Sequence, residues 1–258
     1  MKILEVLTYY RPWMSGLTIY VERLSKALAA QGHDVTVLTA QYDPSLPRYD
    51  VVDGVKIVRV PVAARISKGV IMPGFGPMAW KLAQKADIIH LHLPQFDAPG
   101  VALRGRLLNK PVVLTYHCDL QLPKGAFNRM VDKVVLSMNR MAGSLADAVV
   151  TYTRDYGENS PYLSEYLGKK LYIIPPPVEL PAANAEVMAQ FAAKHQLAGK
   201  RVIGIAARLA TEKGVEVLLM ALPIVQKAFP NAMVLHAGPY ENILGEENQG
   251  VKVLMSGL

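Results

Sequence analysis

One cysteine, Cys118, stands in a chain of 258 residues, so neither an internal disulfide nor a multi-cysteine zinc site can form, and this usage fits a reducing compartment. Its neighbour is His117, but adjacent residues on a strand point to opposite faces, which disfavours a thiol–imidazole nucleophile. Nowhere does a run reach the roughly eighteen apolar residues of a membrane-spanning helix. The opening MKILEVLTYY has neither the apolar core nor the small-residue cleavage site of a signal peptide, so a cytoplasmic protein is expected. G-x-G-x-x-G is missing, and with it the dinucleotide fingerprint. Also missing are a clustered acidic pair suited to a divalent ion and any recognisable nucleic-acid reading motif. Neither a metal nor a nucleic-acid partner is expected.

What is present is apolar and basic. Hydrophobic residues make up 51% of the chain, enough for two modest cores or one large α/β core. The formal charge of +7 is uneven: residues 1–178 hold 21 Lys or Arg against 14 Asp or Glu, and residues 179–258 hold 7 of each. A basic first part calls for an anionic partner, either a lipid surface or a phosphorylated substrate.

Periodicity predicts a strand at Ile3 to Thr8, a loop carrying Gly16, a helix from Leu17 to Gln31 stopped by Gly32, and a strand at Asp34 to Ala40, which is a βαβ unit. Gly16 would let a ligand approach the helix start, where free N–H groups suit a phosphate or sugar oxygen; a plain turn glycine is the alternative. The stretch 43–54 reads as a loop, and 60–77 as an irregular surface segment ahead of a short helix at Met78 to Lys85. In the strand Asp87 to Leu93, His90 and His92 share a face. With no carboxylate or third histidine at usable spacing, hydrogen-bonded histidines are favoured over a zinc site. His117 ends the strand that begins at Pro111, where a parallel sheet meets its ligands; a hydrogen-bonded structural histidine is the alternative. The helix Gly125 to Leu145 has an apolar stripe of Phe127, Val131, Val134, Met138, Met141 and Leu145, with Lys124, Arg129, Lys133 and Arg140 on its flanks; it can pack on its sheet, the favoured reading, or lie on anionic head groups.

Pro175, Pro176 and Pro177 cannot continue a helix or a central strand, so a boundary is expected there, between a first domain at 1–178 and a second at 179–258. The second centres on VIGIAARLATEKGVEVLLMAL at 202–222. A short strand leads through a polar turn with Arg208, Glu212, Lys213 and Gly214 into a helix carrying Val217, Leu218, Ala221 and Leu222. Two cations and a helix N-terminus at a strand's C-terminal end suit a phosphate; an ordinary strand-to-helix turn with two solvated cations is the alternative.

These pieces together resemble glycosyltransferase family 4, the retaining, nucleotide-sugar-dependent enzymes of GT-B architecture. They are MSG at 14–16, HLH at 90–92, YHCDL at 116–120, IIPPPVE at 173–179 and above all the R-x-x-x-E-K-G-x-x-x-L-L-x-A pattern formed by Arg208, Glu212, Lys213, Gly214, Leu218, Leu219 and Ala221. The resemblance implies an α/β fold of two Rossmann-like domains, the first binding the acceptor and the second the nucleotide sugar. It implies that Arg208 and Lys213 bind the donor diphosphate, that Gly16 lies close to that diphosphate and the acceptor, and that His117 touches the transferred sugar. The family's base- and ribose-holding elements and its glutamate-bearing motif do not follow Leu258, so the second domain is expected to be incomplete and this chain inactive alone.

The expected reaction moves a hexosyl unit from a UDP- or GDP-linked sugar to a hydroxyl of a lipid, a polysaccharide precursor or a small acceptor, at the inner face of the membrane, with no cofactor beyond the nucleotide sugar. Two rival readings stand beside it: a nucleotide-sugar epimerase of the same architecture, and a non-catalytic nucleotide- or membrane-binding fragment.

Overall fold

Strands that are apolar on both faces need cover on both faces, and short apolar runs separated by helices satisfy this as a doubly wound parallel sheet. The computed structural model, which describes residues 1–66, 69–119, 125–180, 182–207, 209, 213–238 and 252–256, has that architecture. It divides into two compact units, Met1–Glu179 and Leu180–Leu258.

The first unit runs β1 (Lys2–Val6), α1 (Gly16–Ala30), β2 (Asp34–Gln41), β3 (Tyr49–Val52), β4 (Val55–Pro61), β5 (Ala64–Ile66), β6 (Gly69–Ile71), α2 (Phe75–Lys85), β7 (Ile88–Leu93), α3 (Ala98–Leu107), β8 (Val112–Tyr116), α4 (Ala126–Leu145), β9 (Ala148–Thr151), α5 (Arg154–Asn159), a 3-10 turn at Leu163–Tyr166 and β10 (Leu171–Ile173). Eight strands form one sheet in the order β10-β9-β8-β7-β1-β2-β4-β3, parallel throughout except for the edge strand β3. Alternation along the strands sorts side chains into two cores. Leu4, Val6, Leu91 and Leu114 pack with α2 and α3 on one face, while Ile3, Leu7, Val35 and Val37 meet Val21, Leu24 and Leu28 of α1 on the other.

Helix α1 starts where its sequence says it should. Ser15 is the N-cap and forms a capping box with Thr18, and Gly32 adopts a left-handed φ of 84° just past the last turn.

Three expectations are corrected. The loop at 43–54 contains the edge strand β3, and the segment at 60–77 contains the β5–β6 hairpin and the start of α2 at Phe75. The stripe on α4 does not simply face the sheet: Val134 and Met141 are exposed, and Asn139, Ala142, Gly143 and Ala146 are buried instead. A side chain on Gly143 would collide with the hydroxyls of Tyr162 and Tyr166, so the helix turns its small residues inward and its larger ones out.

The second unit comprises α6 (Ala185–Lys194), β11 (Arg201–Ala206), α7 (Val215–Ala228), β12 (Ala232–Gly238) and β13 (Lys252–Ser256). Its strands order β11-β12-β13, the first pair parallel and the second antiparallel. A small core joins Leu222, Ala232 and Val234 to Ile203, Ile205, Leu218 and Val225. Val217, one of the apolar positions at helical spacing on α7, is 64% exposed.

Candidate active site

Parity and register place six polar side chains on one face of the first sheet. Glu5 pairs in register with His90, and His92 with Thr115, so β1, β7 and β8 present them side by side beneath α1. His117 follows β8 on the same face, and Tyr152 follows β9. Glu5 Oε2 lies 2.6 Å from His92 Nε2, and Glu5 Oε1 lies 3.3 Å from His90 Nδ1. His90 Nε2 is 2.8 Å from the Thr115 hydroxyl, and His92 Nδ1 is 3.1 Å from His117 Nε2. The Tyr152 hydroxyl bonds His117 Nδ1. Tyr20, from α1, closes the cluster, its ring 4.9 Å from that of His117 and 5.8 Å from that of His92.

Glu5 and His92 are buried, at 0% and 1% exposure. A carboxylate that deep persists only if hydrogen bonds replace its water. Burial alone would raise the pKa of Glu5, but the charge and hydrogen bonds of His90 and His92 outweigh it and hold the value at about 2. Burial pushes His92 down to about 4 and His117 down to about 2, with repulsion from neighbouring histidines adding to the effect, so both imidazoles are neutral at pH 7.

Two histidines on a strand had no third ligand in the sequence; the fold supplies one in Glu5. Ligating atoms of Glu5, His90 and His92 all lie within 4.8 Å of one another. Their spacing is nonetheless that of hydrogen bonds: the 2.6 Å between Glu5 and His92 is well under the roughly 3.3 Å that separates two ligands of a tetrahedral zinc ion bonded at about 2.0 Å.

Gly16 is the first residue of α1, and it is exposed. Ser15 takes the N–H of Thr18 on its side chain and that of Ile19 on its carbonyl, which leaves the N–H groups of Gly16 and Leu17 pointing out of the helix end. A Cβ on Gly16 would meet nothing within 4 Å, so packing does not explain the glycine. In the second unit, Lys213 is exposed in the connection between β11 and α7, next to Gly214, which caps α7 in the left-handed region at φ 63°. Arg208 and Glu212 lie outside the described residues.

Two neighbours of His117 have structural assignments. Asp119 accepts from Tyr116 at 3.1 Å and from Ser160 at 3.0 Å. The Cys118 thiol is pushed up by desolvation and by Asp119, away from the thiolate a nucleophile needs. Elsewhere in the first unit, a cavity of about 710 Å³ opens among Lys2, Asp34, Tyr49, Lys56 and Lys85, at the N-terminal ends of β1, β2 and β4 and therefore at the opposite end of the sheet from His117.

The model of the family described as Glycosyltransferase Family 4 matches residues 14–180. A glycogen synthase of Mycobacterium tuberculosis is 28% identical over 272 residues, covering 92% of this chain and 61% of its own length. A phosphatidyl-myo-inositol mannosyltransferase of Mycobacterium leprae is 26% identical over 248 residues, with the same 92% and 61%. The chain thus spans about 61% of the length of these curated relatives. Among solved structures, HepE of Anabaena in complex with UDP superposes with a TM-score of 0.58 at 16% identity, covering 86% of this chain and 57% of that one. A trehalose-phosphate synthase (UDP-forming) of Burkholderia vietnamiensis gives 0.53 at 14%, covering 92% and 64%. At such identities the superpositions establish fold, and that fold is the α/β, GT-B type with Rossmann-like sheets.

Proposed function

The chain belongs to glycosyltransferase family 4, and from that membership we propose that it serves a retaining transfer of a hexosyl unit, from a UDP- or GDP-linked sugar to a hydroxyl of a lipid, polysaccharide precursor or small acceptor. The observation that carries this reading is the placement of His117 and its hydrogen-bonded partners at the C-terminal ends of β7, β8 and β9, the end at which parallel sheets bind ligands. The first unit is assigned the acceptor and the second the nucleotide sugar.

Bond cleavage leaves charge on the departing diphosphate. Arg208 and Lys213 are assigned to that charge, aided by the N-terminus of α7, where they favour the transition state over the ground state. His117 orients the sugar through a hydroxyl. The outward N–H groups of Gly16 and Leu17 meet a phosphate or acceptor oxygen, and the absent side chain lets it come close. No covalent nucleophile is assigned, because Asp119 is engaged by Tyr116 and Ser160.

For the acceptor side, a lipid surface is favoured by α4. Met130, Val134 and Met141 are exposed along it, and Arg129, Lys133 and Arg140 are exposed beside them. Among the described residues no helix is long and apolar enough to cross a membrane. Peripheral docking through α4 on anionic lipid is the proposed arrangement.

A radiolabelled transfer assay with UDP- and GDP-hexoses tests the reaction, run with and without lipid and saccharide acceptors. Label appearing in an acceptor-linked product supports transfer; conversion of the free nucleotide sugar without an acceptor would instead mark an epimerase. By itself, a chain with about 61% of its relatives' length is assigned weak nucleotide binding and negligible turnover.

A further inference from the structure

Both ring nitrogens of His117 are already engaged, Nε2 by His92 and Nδ1 by Tyr152, so what it can offer a ligand depends on where its proton sits. We propose that Glu5 and His92 are positioning residues that fix the tautomer of His117, with the proton on Nε2 and Nδ1 left as a bare acceptor toward the outer end of the cluster.

Only one proton order satisfies the line from Glu5 through His92 and His117 to Tyr152. An ionised Glu5 can only accept, so the His92 nitrogen 2.6 Å from it, Nε2, carries the hydrogen. Neutral His92 then has a bare Nδ1, and His117 Nε2 at 3.1 Å must donate to it. Neutral His117 is left with a bare Nδ1, to which the Tyr152 hydroxyl donates. The second branch meets the same carboxylate: Nδ1–H of His90 faces Glu5, and its Nε2 lies 2.8 Å from the Thr115 hydroxyl. Both histidines of β7 point a donor at Glu5. Reversing the order would require a protonated Glu5, and its histidine neighbours hold it ionised.

The consequence concerns substrate class, and it rests on the reading of His117 as the sugar-facing group. Whatever replaces the Tyr152 hydroxyl at Nδ1 must bring a proton. A sugar hydroxyl does; an ionised phosphate or carboxylate oxygen would set lone pair against lone pair. His117 is therefore matched to a neutral, hydroxyl-bearing position of the sugar, and not to the diphosphate.

Long-range nitrogen–proton correlation spectra of the chain labelled with ¹⁵N-histidine read the tautomers directly, with signals assigned from His92→Gln and His117→Gln. At pH 7 both His92 and His117 are expected to be protonated on Nε2 alone. Tyr152→Phe should leave both unchanged, because the order is set from the Glu5 end. In Glu5→Gln the carboxamide accepts from one histidine and donates to the other, so one branch inverts, and His92 and His117 change together or not at all. A proton on His117 Nδ1 in the unaltered chain, a tautomer change on Tyr152→Phe, or opposite tautomers at His92 and His117 in Glu5→Gln would each overturn the proposal. If Glu5→Gln does not fold, the first two spectra decide. None of these spectra involves a sugar, so a chain with the expected tautomer that fails to transfer sugar at full length refutes the transfer reading alone.

Discussion

Glu5 Oε2 and His92 Nε2 stand 2.6 Å apart in the core although 87 residues separate them along the chain. The contact makes the first unit acid-sensitive. His92 is depressed from 6.5 to about 4 and His117 from 6.5 to about 2, so below pH 6.5 the unfolded chain binds protons that the folded one refuses. Their contribution to stability is complete above pH 6.5 and is lost as pH falls through about 4. Glu5, lowered from 4.5 to about 2, adds a second loss below pH 4.5. Trp13 and Trp80 are the two tryptophans of the chain and both lie in the first unit, so their fluorescence follows its urea unfolding. The midpoint should be level from pH 8 to 7 and fall steadily from pH 6 to 4; a level midpoint down to pH 4.5 would contradict the buried network.

Burial separates this contact from one of similar length at the surface. Lys56 Nζ lies 2.7 Å from Asp34, but the two side chains are 56% and 42% exposed. Glu5→Ala strands two imidazole donors in the core and should cost about 3 kcal/mol, whereas Lys56→Ala should cost less than about 1 kcal/mol. Denaturant unfolding of both variants at pH 7 checks the contrast, and equal losses would show that the cluster is not the buried network described.

Local pattern made some of this visible and left the rest hidden. The shared face of His90 and His92, the helix after Gly16 with its Gly32 stop and the proline triplet at 175–177 are short-range features that periodicity and turn chemistry reveal. Glu5 could not be joined to the histidines, because the parallel β1–β7 pairing that sets its register links residues 85 apart. In isolation it read as one acidic residue in an apolar strand; an ionisable group amid ILEVL was the available signal that something buried must meet it. On α4 the error came from ranking residues by hydrophobicity alone. Close approach to Tyr162 and Tyr166 selects Ala142 and Gly143 for the inside, and steric fit outweighed the larger apolar residues. Strand β3 escaped because it is an exposed edge, where YDVV lacks the signature of a strand buried on both faces.

Two glycines should answer differently to the same substitution. Gly16 has open space where a Cβ would be added, so Gly16→Ala should shift stability by no more than about 0.5 kcal/mol. Gly105 has the Val112 side chain in that space, and Gly105→Ala should cost about 1–3 kcal/mol. Calorimetric melting of the two variants tests this. Because Gly16→Ala leaves the fold intact, any loss of ligand affinity it causes reports directly on approach to the start of α1.

The outward face of α4 predicts a lipid preference. Vesicles rich in phosphatidylglycerol should bind the chain and release it as salt rises, while phosphatidylcholine vesicles should bind it weakly. Arg129 and Lys133 are exposed one turn apart beside Met130 and Val134. At about 1 kcal/mol for each basic residue near an anionic surface, replacing both with Gln should weaken partitioning roughly thirtyfold. Co-sedimentation distinguishes the outcomes: equal binding to both lipids, or no change in the double variant, would assign the basic surface to a phosphorylated acceptor.

The diphosphate and sugar assignments differ in what their loss should spare. In a form of the chain extended to the length of its relatives, Arg208→Ala or Lys213→Ala removes one of the two cations assigned to the charge that develops on the leaving group. Each should lower kcat/KM by roughly a hundredfold, the size found for deleting a single charge-stabilising donor. Affinity for the bare nucleoside should change far less, since these cations are assigned to the diphosphate and not to the base. His117→Gln keeps an N–H that can reach His92 but replaces the imidazole assigned to the sugar. It should therefore impair transfer while leaving the affinity for nucleoside diphosphate nearly intact. Calorimetry with nucleoside and nucleoside diphosphate, set beside initial rates of labelled transfer, separates the two classes. Silent Arg208→Ala and Lys213→Ala would remove the phosphate assignment; a His117→Gln enzyme that lost diphosphate binding in step with transfer would move that histidine from the sugar to the leaving group, where an unprotonated Nδ1 has nothing to donate.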